Sequence, residues 1–113
     1  MSKAISRAVA HFKSLNVKTF EVPEWADDEG KPLVIYVEPF TLKDKTRLQV
    51  AARTGSEVDA IVELIVLKCL DSKGEHLFTI EDKPQLRMSV DANVLERISQ
   101  EIMRVDVEGI RKN

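Results

Sequence analysis

Twelve residues, Asp59–Leu70, constrain this chain more than any others. They read DAIVELIVLKCL, and nine are apolar (Ala60, Ile61, Val62, Leu64, Ile65, Val66, Leu67, Cys69 and Leu70). A helix lying on a protein surface is apolar along one stripe, whereas a helix apolar nearly all round must be covered on several sides. The stretch predicts a central buried helix, with the rest of the chain as its cover. Its longest apolar run, Leu64–Leu67, is far short of the roughly 20 residues needed to cross a bilayer.

A chain of 113 residues is most simply one domain. The apolar fraction of 43% and charged fraction of 32% fit a globular protein rather than a disordered one. The net charge of −2 gives no overall attraction to nucleic acid or to an anionic membrane. One cysteine excludes an intramolecular disulfide. The N-terminus, MSKAISRAVAHFKS, lacks the continuous apolar segment of a secretory signal. A soluble protein of a reducing cytoplasm is the expectation.

Residues Ser2–Leu15 predict a helix. Ile5, Ala8, Val9, Phe12 and Leu15 recur at spacings of three and four, and Lys3, Arg7, His11 and Lys13 occupy the other face. Such a basic amphipathic helix can lie on a membrane or dock on a partner. The favoured reading is that it packs on its own domain or on a neighbouring copy, since Ala4 and Ala8 make its apolar face small. Val17–Val22 and Leu33–Val37 are β-branched and predict an antiparallel hairpin, with Phe20 and Val22 inward. The loop between them, PEWADDEGKP, holds the only tryptophan, Trp25, among four acids. Trp25 is either an interface residue or, in the favoured reading, an anchor folded back under its own loop.

Three segments of the form S/T-x-x-D mark helix starts: Thr41 with Asp44, Ser56 with Asp59, and Thr79 with Asp82. The first predicts a helix over Leu42–Thr54 with Leu48, Ala51 and Ala52 inward. Gly55 suits a left-handed residue after that helix. Asp71–Gly74, DSKG, is a turn. Leu77 and Phe78 return to the core, a short helix follows over Lys83–Met88, and Ser89 or Asp91 caps a last helix from Ala92 to about Val105. The expected fold class is therefore α+β: one antiparallel hairpin packed with four to five helices around Asp59–Leu70. The expected division is an amphipathic helix over 1–16, a single domain over 17–106 and a flexible tail over 107–113.

Read in order, Val22-Pro23-Glu24-Trp25, then Val37-Glu38-Pro39-Phe40-Thr41, then Asp71 through Asp82 (DSKGEHLFTIED) and the helix ERISQEIM resemble the tail assembly chaperones of long-tailed, siphovirus-type bacteriophages. The resemblance runs from about residue 20 to 103 and leaves out the N-terminal helix. It implies a non-enzymatic protein that binds the long, helical tape measure protein and keeps it soluble during tail assembly. It implies tail tube subunits as further partners, a place in the host cytoplasm, and absence from the mature virion. In many relatives a ribosomal frameshift near the end of the reading frame adds a longer product. A homo-oligomer is compatible with this role. The alternatives are a structural head–tail or tail completion protein and a small nucleic-acid-binding regulator.

The residues themselves carry no catalytic pattern. His11, His76 and Cys69 lack metal spacing, so no metal and no cofactor are expected. Cys69 reads as a small buried hydrophobe and His76 as an exposed turn residue. Lys43, Lys45, Arg47, Arg53, Arg97 and Arg104 alternate with acids, as on a solvated face, so neither a nucleic acid nor a membrane is an expected partner. From residue type alone, the candidate protein-binding residues are Trp25, Phe40, Phe78, Phe12 and Arg7.

Overall fold

The computed structural model describes residues 3–111, with side chains as far as Val105. In order, the chain forms α1 (Lys3–Ser14), β1 (Lys18–Val22), β2 (Leu33–Val37), α2 (Leu42–Thr54), α3 (Glu57–Lys68), α4 (Lys83–Met88) and α5 (Ala92–Arg111). Short 3-10 turns, Pro23–Trp25 and Ile80–Asp82, follow β1 and precede α4. This is the expected α+β arrangement of one antiparallel hairpin and five helices.

The hairpin pairs Phe20 with Ile35 and Val22 with Leu33. Side chains alternate between faces with period two, so Val22, Ile35 and Val37 are all fully buried, with Phe20 half-buried beside them. Two strands are marginal alone, and α3 and α5 complete the core. Ile65 from α3 and Ile98 and Ile102 from α5 are inaccessible or nearly so. The core is therefore centred where the composition of Asp59–Leu70 places it.

The bounds of that stretch differ from the expectation. The helix begins at Glu57 and ends at Lys68, with Cys69 as its cap. Leu70 is extended: its N–H donates to the Tyr36 carbonyl (3.0 Å), and the Tyr36 N–H donates to the Leu70 carbonyl (2.9 Å). Leu70 also bridges His76. The outer edge of β2 has backbone groups that need partners, and Leu70 satisfies them there better than it could by extending the helix. The reversal between Leu70 and His76 is the DSKG turn. Asp71 Oδ1 accepts from the N–H groups of Lys73 and Glu75, and Gly74 has φ +83°. The β1–β2 loop repeats this device. Asp27 Oδ1 accepts from Glu29 and Lys31, and Gly30 also has φ +83°. The two D-x-x-G segments that lie in loops, Asp27–Gly30 and Asp71–Gly74, thus fold alike.

All three helix-start segments close as expected. The Asp44 N–H donates to Thr41 Oγ1 (3.1 Å) while Asp44 Oδ2 accepts from the Thr41 N–H (3.0 Å). Ser56 and Asp59 make the same reciprocal pair. At the third, Asp82 accepts from the Thr79 N–H (2.8 Å) and the Thr79 hydroxyl turns to Glu81 (2.7 Å). Of the two candidates for the last cap, Asp91 fills the role, accepting from the Asn93 N–H at 2.8 Å.

Four expectations need correction. Gly55 is extended (φ −124°) rather than left-handed. Glycine is required there for space, because a Cβ would stand 2.8 Å from Asp59 Cβ. Gly55→Ala is therefore expected to weaken the Ser56–Asp59 cap and to cost about 1 kcal/mol. In an Asp59→Gly background that extra cost should vanish, which urea denaturation of the four proteins would show. Ala52 faces solvent, and α2 packs inward through half-buried Leu48 and Ala51. Helix α5 continues to Arg111 rather than ending near Val105; the last two residues of the expected tail lie outside the described residues. Helix α1 forms as expected but none of its residues is buried, and Phe12 at its end lines a hollow with Pro39 and Leu70. The radius of gyration, 15.3 Å, exceeds the about 13 Å of a compact chain this long, as befits a first helix that adds nothing to the core.

Candidate docking surface

The central helix carries two charged residues past its first turn, and both are buried. Glu63 accepts from Arg47 of α2 (2.9 Å) and Lys83 of α4 (2.6 Å). Burial pushes its carboxyl up, but Lys83 and Arg47 outweigh that and hold it below the ordinary range. Lys68 is 5% exposed. It donates to Asp44 Oδ2 (3.1 Å) and to the Pro39 carbonyl (3.2 Å), and its ammonium sits 4.5 Å from the centre of the Phe40 ring. An apolar helix slides and rotates easily against its neighbours. These two paired charges lock α2 and α4 to α3 in one register.

The VPEW segment is a corner of the fold. Val22 is in the core, and Pro23 opens the 3-10 turn. Glu24 takes both terminal nitrogens of Arg97, on α5, at 2.6 Å each. That guanidinium holds the Glu24 carboxyl down to about 2. The Trp25 ring meets Phe78 edge-on, with centroids 5.9 Å apart. Trp25 thus folds back under its own loop.

The candidate binding residues are distributed as follows. Phe78 lines a shallow recess of about 340 Å³ with Val66, Leu67, His76, Thr79, Ile80 and Glu81. Phe12 lines a neighbouring one of about 310 Å³ with Glu38, Pro39, Leu67, Leu70 and His76. Leu67 and His76 belong to both, so the two hollows form one surface from the end of α1 to the start of the second 3-10 turn. Trp25 supports Phe78 from behind, and Phe40 lies beneath Lys68, which also borders the second hollow. Arg7 is exposed on α1. Residue type alone misses Leu67, His76 and Ile80. Leu67 is hidden within an unbroken apolar run. Ile80, 69% exposed, does carry a signal, as the only apolar residue inside the T-x-x-D segment. His76 is exposed, as expected, with its Nδ1 3.2 Å from the Val66 carbonyl.

Among the described residues no cluster of His, Cys, Asp or Glu could hold a metal ion. The Cys69 thiol is inaccessible, and burial pushes it up to about 12. Of the cations in the mixed-charge helices, Arg47, Arg97 and Arg104 each pair with a carboxylate (Glu63, Glu24 and Glu101). Among the described residues no helix is long and apolar enough to cross a membrane.

Compared by sequence, the chain matches no protein-family profile and no curated protein. Compared by structure, it is similar to the tail assembly chaperone of bacteriophage HK97, with a TM-score of 0.58 at 17% identity, over 92% of this chain and 95% of that one. The two chains share a fold. The likeness extends over nearly the full length of both chains. In this fold, VPEW and the Leu70–His76 reversal are the joints that hold the hairpin against α5 and α3.

Proposed function

We propose that the protein is a phage tail assembly chaperone that acts by binding rather than by catalysis. Its client is the long helical tape measure protein, which it keeps soluble in the host cytoplasm until tail tube subunits enclose it. The observation that carries this reading is the shared fold over 92% of this chain and 95% of the HK97 chaperone. The continuous surface from Phe12 through Leu67 and His76 to Phe78 supports it, because shallow apolar hollows flanked by polar groups suit the apolar face of a helix. Each contact is small, so several copies along one client would hold it by multivalency.

Co-expression with a tape measure protein of the same phage tests the reading. The client should be recovered in the soluble fraction several-fold more abundantly, and in a complex with this chain. A client equally soluble alone, with no complex recovered, would overturn the proposal. So would finding the protein as a stoichiometric component of purified mature particles, the behaviour of a head–tail or tail completion protein.

A further inference from the structure

We propose that α1 is the arm that first engages the client, and that it selects a helix whose apolar stripe is bordered by carboxylates. This rests on the chaperone reading above and names the chemistry of the segment bound. The chain as a whole is slightly acidic, yet α1 carries Lys3, Arg7, His11 and Lys13 and no acid at all. Like α2, this helix buries none of its residues, but unlike α2 it carries no acid. Ile5, Val9 and Phe12 are 47%, 43% and 37% exposed. Their spacing of four and three puts them on one line, the pattern by which a helix anchors to a partner's apolar face.

This line is about 10 Å long, at 1.5 Å of rise per residue. It does not stop at the helix end. Phe12 forms a wall of the hollow shared with Pro39, Leu70 and His76, so the stripe runs into the surface already described. A partner helix laid along α1 would continue onto Leu67 and Phe78.

Three occupants compete for such a face. A bilayer is flat, whereas this stripe leads into a concave hollow, and its large apolar groups are only three. A second copy of the chain would need an exposed apolar stripe flanked by acids. Of its other helices, α2 has two large hydrophobics well exposed, Leu42 and Val50, but its one acid, Asp44, is already held by Lys68. A foreign acidic amphipathic helix fits the charge of α1 and the shape of the hollow it leads into.

The test uses the full chain and two synthetic amphipathic helices with the same apolar stripe, one flanked by glutamates and one by lysines. Fluorescence anisotropy should show the glutamate-flanked helix binding about tenfold tighter, the scale of three weak exposed ion pairs. Raising the salt concentration should erase the difference. Arg7→Glu with Lys13→Glu should reverse the preference, and Val9→Asp should abolish binding of both helices. Thermal melting should be unchanged in these variants, since α1 buries no residue. Equal binding of the two helices, or variants that bind like the wild type, overturns the proposal. It is also overturned if α1 variants lose sedimentation with phosphatidylglycerol vesicles, or lose self-association, while still binding the acidic helix. The peptide experiment judges the role of α1, and the co-expression experiment judges the chaperone reading, so the two can fail separately.

Discussion

Ile65→Asp is expected to leave the chain unfolded. Ile65 is fully inaccessible at the middle of α3, the helix that packs against α2, α4 and α5. Every cation of α3 and its neighbours that approaches the core already has a carboxylate partner: Lys68 has Asp44, and Arg47 and Lys83 have Glu63. A new carboxylate at position 65 would be buried and unpaired, and the apolar contacts of the isoleucine would be lost with it. Each effect costs several kcal/mol, against a total stability of about 5–15 kcal/mol for a domain of this size. Far-ultraviolet circular dichroism should lose its helical signal and the cooperative melt should disappear. Ile65→Val is the control and should cost about 1 kcal/mol. A folded Ile65→Asp protein with an unchanged melting temperature would show that the core is not centred on α3.

The second large effect is expected at Lys68. Lys68→Met keeps most of the apolar stem but leaves Asp44, 18% exposed, without its cation and removes the ammonium from the Phe40 ring. Breaking a fully buried pair costs about 3–5 kcal/mol; the partial exposure of Asp44 brings the expectation to about 2–3 kcal/mol. Adding Asp44→Asn should recover part of the loss, since the unpaired charge is then gone, and the double-mutant cycle reads the coupling directly. Acid offers an independent check. Burial pushes the Asp44 carboxyl up, but the Thr41 N–H and Lys68 outweigh it and place it below the ordinary 3.8. A depressed carboxylate stabilises the fold fully above 3.8 and stops doing so as pH falls through its lower folded-state value. The penalty of Lys68→Met should therefore be constant from pH 7 to about 5 and shrink below 3.8. A penalty that grows on acidification would contradict the pairing.

Most element boundaries could be read from the sequence because the groups that set them lie within a few residues of one another. Thr41 reaches Asp44, Ser56 reaches Asp59, and Asp71 reaches Lys73 and Glu75. Such signals fail where a neighbour in space competes. Leu70 looks helical by composition and is drawn into a bridge by Tyr36, 34 positions earlier. Gly55 looks like a left-handed stop and is instead kept small by the carboxylate that caps the following helix. Of the residues lining the candidate surface, Phe12 and Phe78 are legible as residue types, but Leu67 and Ile80 are not. Whether an apolar residue faces in or out depends on which partner covers it.

The sequence by itself determined that a buried helix would organise the molecule, that one hairpin and four or five helices would cover it, and where nearly every helix begins. Only the tertiary structure decided which charges are paired, as in Arg97 with Glu24 across 73 positions and Lys83 with Glu63 across 20. It also decided that no residue of α1 is buried and that Phe12 and Phe78 would share a surface through Leu67 and His76. The division has one physical cause. Caps, turns and apolar periodicity act over three or four residues and are written in the chain, whereas pairing and exposure depend on which faces packing brings together.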